Sequence, residues 1–187
     1  AKDGKVEFTV RVTNTGDVAG KEAVQLYLQK PYISGGVEKA SVELVDFGKT
    51  PLLDPGASAT VTMEVDGRDF ASYDAYDARG YVVDEGTYYL TVAKDSHAAV
   101  NNILAAKGKT IENSEAMDAD GDTSMVYSEE KTRDAETYKT SVATGKTVTN
   151  QFDNADLNLY EGSETEVEYI SRSDWEGTVK NGLDEDN

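Results

Sequence analysis

Residues 5–13, "KVEFTVRVT", alternate strictly: Val6, Phe8, Val10 and Val12 are apolar, while Glu7, Thr9, Arg11 and Thr13 between them are polar. An extended chain of this kind turns one side to a core and the other to water, which predicts a half-buried strand. "NTGDVAG" follows, and its Asn14, Gly16 and Gly20 supply turn chemistry. "KEAVQLYLQK" then sets Val24, Leu26 and Leu28 on one face and ends at Pro31, which has no N–H for a ladder. "ASVELVDFGKT" predicts a third strand with Val42, Leu44 and Phe47 facing inward. After the Pro55-Gly56 turn, "ASATVTMEV" alternates through Ala59, Val61, Met63 and Val65. "DFASYDAYDARGYVVDEG" predicts a short paired element around Tyr73, Tyr76, Tyr81 and Val83, and "TYYLTVAK" closes the series with Tyr88, Leu90 and Val92.

Six or seven short strands at roughly ten-residue spacing, separated by turn signals, predict an all-β antiparallel sandwich over residues 1–95. The pattern then changes. "SHAAVNNILAAKG" predicts one short helix over about 97–107, capped by Ser96, stopped by Gly108 and carrying Ala99, Ile103 and Leu104 as its apolar stripe. A helix this short has to dock on something to persist. From residue 109 onward the chain is polar and acidic. A hairpin about Thr144 and Gly145 and a helical turn in "FDNADLNLY" are its local signals, and the rest of residues 96–187 is expected to be an irregular, extended segment.

Charge narrows the partners. Asp and Glu number 36 against 18 Lys and Arg, a formal net charge of -18, which repels phosphate backbones and argues against nucleic acid. No run of about 18 apolar residues occurs, so no membrane-inserting helix is expected. There is no cysteine, which removes disulfides, thiol nucleophiles and thiolate metal sites. The opening "AKDGKVEFTV" has neither Met nor a signal-like stretch and reads as a piece of something longer.

The sharpest local pattern is "DADGDTSMVYSE", residues 118–129. Asp118, Asp120 and Asp122 alternate and Glu129 follows, which is the oxygen-ligand spacing of a calcium loop. Thr123 stands where that loop wants Gly, and the Gly is displaced to 121, so a solvated acidic loop is the competing reading. His97 is the only histidine; without a nucleophile elbow or a Gly-rich oxyanion loop it reads as a surface or capping residue. The eleven tyrosines could stack on sugar rings, but most fall at strand positions that core packing or cross-strand pairing also explains. Asp174-Trp175 has the look of a glycosidase nucleophile, yet such a residue needs a rigid strand end, a cleft and an opposing proton donor.

Three blocks, "VRVTNTGDVAGKEAVQLYL", "LVDFGKTPLLDPGASATVTMEV" and "YVVDEGTYYLTVA", resemble the fibronectin type III-like module of family 3 glycoside hydrolases, the β-glucosidase group, across residues 6–93. "AAVNNILAAKG", "MDADGD", "TGKTVTNQFDNADLNLY" and "YISRSDWEGT" are similar to the segment that follows this module in bacterial members where it precedes the catalytic barrel. The resemblance implies an immunoglobulin/fibronectin type III-like sandwich, a lead-in to a catalytic domain absent from this chain, and Asp174 as a connector. It implies no catalytic, cofactor-binding or metal-ligating residue here. The expected partners are catalytic domains of the same parent chain and, secondarily, carbohydrate. A cell-surface immunoglobulin-like module binding calcium or carbohydrate is the alternative.

Overall fold

The computed structural model describes residues 5–157 and 169–172. Its strands, in chain order, are β1 (Val6–Thr13), β2 (Ala23–Gln29), β3 (Glu43–Lys49), β4 (Ser58–Val65), β5 (Ser72–Asp74), β6 (Gly80–Val82), β7 (Gly86–Ala93) and β8 (Val126–Lys131), with one α-helix, α1 (Ser96–Ala106), between β7 and β8. All strand pairs are antiparallel. The chain divides into two compact units, one of residues up to Pro31, Ser41–Ala71 and Val83–Asp134, the other of Tyr32–Ala40, Ser72–Val82 and residues from Ala135 onward.

The first unit is the sandwich. β1 pairs with β4, Val6 opposite Val65 and Val10 opposite Val61, so the alternating apolar residues of both strands share one face. The facing sheet has the order β3-β2-β7-β8. Leu26, Leu28, Met63, Val65, Tyr88 and Leu90 are almost fully buried between the layers, each aliphatic side chain contributing roughly 1.5–3 kcal/mol by leaving water. Tyr88 also donates through its hydroxyl to the Asp84 carbonyl at 3.1 Å, and Phe70 meets its ring edge-on at 5.5 Å. Burial pushes the Tyr88 phenol well above its ordinary range. The turn after β3 is built as expected: the Ala57 amide donates to Asp54 O and Gly56 takes φ +77, a left-handed value that favours glycine.

Two expectations change here. Leu44 and Phe47, read as inward, are exposed. The pairing slips between β2 and β3 so that Leu26 opposes Asp46 and Tyr27 opposes Leu44, leaving Val45 as the extra residue of a bulge. The inward position next to Phe47 is Gly48, where a Cβ would lie 2.2 Å from Val61 Cγ1. A large side chain cannot occupy that point, so Phe47 takes the outer face.

The second change concerns the boundary expected at residue 95. The four-stranded sheet takes its outer strand, β8, from Val126–Lys131, a stretch with little strand signal of its own. Tyr127 of β8 meets Phe8 of β1 edge-on at 6.0 Å, across the two layers. α1 lies on the sheet through β7. Its cap is Asp95 rather than Ser96, since the Asp95 carboxylate accepts from the Ala98 amide at 2.8 Å. Ala99 and Ile103 are buried as expected, but so are Asn101 and Asn102.

In the second unit β5 and β6 form a short ribbon with Tyr73 opposite Tyr81. The hairpin about Thr144 and Gly145 closes through Ser141 N to Lys146 O and a Thr140–Thr147 bridge, and Asp153–Ala155 forms a single 3-10 turn.

Candidate functional site

The buried asparagines of α1 explain the acidic loop. Asn101 donates through Nδ2 to Asp118 Oδ1 at 2.7 Å, and its own Oδ1 accepts from the Asp118 amide. Asn102 donates to Thr91 Oγ1 and to the Val92 carbonyl, while its Oδ1 accepts from the Asp122 amide at 2.8 Å. One carboxamide thus ties helix, strand and loop together. Gly121 lies against the helix backbone, where a Cβ would come 2.1 Å from Asn101 O. The displaced glycine is therefore a packing requirement of the docked loop.

The calcium-like residues serve separate purposes in this arrangement. Asp118 faces Asn101, with His97 Nδ1 3.7 Å from its other oxygen, and the Asn101 hydrogen bond holds its carboxyl below the ordinary range. Asp122 caps the 3-10 turn Thr123–Met125, accepting from Ser124 N and Oγ, and those bonds lower its pKa likewise. Glu129 stands on β8 and pairs with Lys131 at 2.6 Å, whose ammonium also lies over the Phe70 ring at 4.0 Å. Asp120 is exposed. Among the described residues no group of three or more His, Asp or Glu side chains is placed to hold a metal ion. His97 is largely exposed and belongs to this loop contact.

On the sandwich, apolar side chains face outward from β3 and the neighbouring loops. Phe47 is 67% exposed and Leu44 is 50% exposed. Val18 and Leu52 are also exposed, on loops that the Asn14 side chain ties together by donating to both Val18 O and Leu53 O. Lys30 is used internally: it is buried, donates to Ala71 O at 2.7 Å and pairs with Glu43 at 3.1 Å.

In the second unit, the start of the "YISRSDWEGT" phrase is anchored. Glu38 accepts from the Arg172 amide and the Ser171 hydroxyl, and its carboxyl is lowered chiefly by the first of these. The Arg172 guanidinium donates to Ala40 O and lies 4.7 Å from the Tyr32 ring centroid. Asp174 and Trp175 lie outside the described residues. The tyrosines divide by role: Tyr88 is core, Tyr73 and Tyr81 form an edge-on cross-strand pair at 5.3 Å, and Tyr76 is 73% exposed. Tyr73 and Tyr76 line a cavity of 510 Å³ together with Arg79, Asn150, Asp153 and Asp156. The sequence singled out Tyr73 and Tyr76. It did not single out Arg79 or Asp153, which no local spacing connects to them.

Residues 22–96 match the family model of the fibronectin type III-like domain. The chain is 40% identical over 101 residues to a β-glucosidase of Ruminococcus albus, which covers 52% of this chain and 10% of that protein. It is 34% identical over 95 residues to thermostable β-glucosidase B of Acetivibrio thermocellus, covering 51% of this chain and 12% of the relative. Among solved structures, β-glucosidase 3B of Thermotoga neapolitana in complex with α-D-glucose aligns at 36% identity and TM-score 0.45, over 51% of this chain and 13% of that one. The chain thus spans about a tenth of the length of the curated relatives it matches.

Proposed function

We propose that this chain is a noncatalytic accessory module of a family 3 glycoside hydrolase, supporting β-glucosidase chemistry carried out by catalytic domains elsewhere in a longer parent chain. The observation that carries the reading is a fibronectin type III-like match over residues 22–96 beside a likeness to β-glucosidases that covers half of this chain and only a tenth of the relatives. A glycosidase centre needs two carboxyl groups fixed across a sugar-binding cleft, and the strands that carry the likeness are occupied with building a core.

The module's contribution is mechanical. Leu44 and Phe47 on β3 expose apolar surface, and covering it with a catalytic domain releases hydration, the main driving force of such contacts. The anchoring of Ser171 and Arg172 by Glu38 fixes the segment just before Asp174, which suits a connector between a folded module and its neighbour. Asp174 is a connector in this reading, and catalysis belongs to other residues of the parent.

The test is turnover of an aryl β-glucoside by the purified chain, then by a parent enzyme lacking it, then by the two mixed. Silence of the chain alone, with recovery of activity on mixing, is the expected result. Replacing Leu44→Asp and Phe47→Asp together abolishes that recovery while leaving the isolated chain folded. Turnover by the chain alone, or no association with the parent, overturns the proposal.

A further inference from the structure

The sandwich has four outer strands among those described: β1 and β4 of the two-stranded sheet, β3 and β8 of the four-stranded one. An unpaired strand edge is a template on which another chain can add a strand. Three of the four turn polar or charged residues to water. Glu7 and Arg11 on β1 and Glu64 on β4 are exposed among threonines. On β8, Tyr127 packs on Phe8 and is followed by Glu129, Glu130 and Lys131. β3 differs, because Leu44 and Phe47 give it the outward apolar surface that makes an edge prone to association.

One carboxylate closes that edge. Asp46 Oδ1 accepts from the amide of Phe47 on its own strand at 2.8 Å, and Asp46 Oδ2 accepts from the amide of Glu64 on β4 at 2.8 Å. The ladders explain why both amides face the seam between the two sheets. Thr50 N donates to Glu22 O and Asn14 N to Ala57 O, and hydrogen-bonded pairs of an antiparallel ladder recur at every second residue. Phe47 opposite Gln25, and Glu64 opposite Glu7, therefore fall at the pairs between, where the N–H points away from the partner strand. A single side chain can reach both because position 48 is glycine: a Cβ there would lie 2.2 Å from Val61 Cγ1, so β3 passes close to β4.

We infer that Asp46 keeps this chain from pairing with a second copy of itself along β3. Removing the carboxylate takes the acceptor from both amides and loosens the seam. An antiparallel β3–β3 pairing about a twofold axis then supplies Phe47 N with a carbonyl and brings Leu44 and Phe47 of the two copies together. The net charge of -18 does not prevent this contact, since exposed charges separated by more than about 8 Å are largely screened at physiological ionic strength. The inference concerns the chain by itself and is independent of the accessory role, which the mixing experiment tests separately.

The experiment is sedimentation velocity of the full 187-residue chain, at about 0.15 M salt and at protein concentrations up to the order of hundreds of micromolar. The unmodified chain is expected to remain monomeric throughout. Asp46→Ala forms a dimer over that range, Asp46→Asn does so less because its carboxamide oxygen still accepts an amide, and Asp46→Ala/Phe47→Lys returns to monomer through the charge placed on the edge. Should Asp46→Ala lose its fold by circular dichroism, amide exchange decides: Phe47 and Glu64 exchange as slowly as ladder amides in the unmodified chain, and about tenfold faster in Asp46→Asn, the scale of one hydrogen bond. A folded Asp46→Ala that stays monomeric, a dimer that survives Phe47→Lys, an unmodified chain that already dimerises, or fast exchange of both amides in it overturns the inference.

Discussion

At Gly48 the absence of a side chain decides where its neighbours go. A methyl group there would meet Val61 Cγ1 at 2.2 Å, so Gly48→Ala is expected to destabilise the sandwich by about 1–3 kcal/mol, the usual cost of overpacking. Removing the opposing bulk in Gly48→Ala/Val61→Ala recovers part of that loss, and urea denaturation of the single and double variants measures the coupling. Asn102 is the converse case, a polar side chain buried because its carboxamide is engaged at both ends. Asn102→Leu strands the Asp122 amide and removes the donor to the Thr91 hydroxyl, and a loss of about 1–3 kcal/mol follows from leaving a buried polar group unpaired. A variant as stable as the parent would show that water takes over these bonds.

Among the elements, the docking of the 117–122 loop on α1 is sensitive to acid. The Asp118 and Asp122 carboxyls are held below their unfolded values by hydrogen bonds to their charged forms. Their stabilising contribution is therefore complete above the unfolded carboxylate pKa of about 3.9 and disappears as pH falls through the lower folded values. Hydrogen exchange at the Asp122 amide, compared at pH 5 and below pH 4 after correction for intrinsic rates, is expected to show protection falling in acid. Asp118→Asn diminishes that dependence. The same geometry predicts that millimolar calcium leaves the melting temperature unchanged, because the carboxylates spaced like a calcium loop are spread over a helix contact, a turn cap and a strand. A rise with calcium would mean the loop rearranges to gather them.

For the whole molecule, the strand that completes the larger sheet comes from beyond the first 95 residues. A chain stopping at residue 95 lacks β8, which leaves the β7 edge unpaired and Phe8 without Tyr127. Such a chain is expected to lose cooperative unfolding and to aggregate through the open edge, while one ending at residue 134 unfolds in a single transition. Sedimentation and thermal melts of the two compare them directly. Equal behaviour would show that β8 is an accessory to the sandwich rather than part of its stability.

Much of the sandwich was legible from local pattern, because period-two alternation in β1 and β4 reflects the geometry of a pleated strand with one buried face, and the alternating apolar residues of β2 and β7 mark their inner face although the other face is partly covered too. The turn at Pro55-Gly56 and the existence of α1 were legible for the same reason: backbone preference and helical period act within a few residues. What tertiary structure alone decided involves partners distant in sequence. Val61 makes position 48 a glycine and turns Phe47 outward, α1 makes position 121 a glycine and spreads the calcium-like carboxylates apart, and β7 recruits the weakly patterned residues 126–131 as an edge strand. The cavity is of the same kind. Tyr73 and Arg79 meet Asp153 only because the second unit folds residues far apart in the chain against each other, and a spacing rule cannot register a contact whose distance is set by packing rather than by the local backbone.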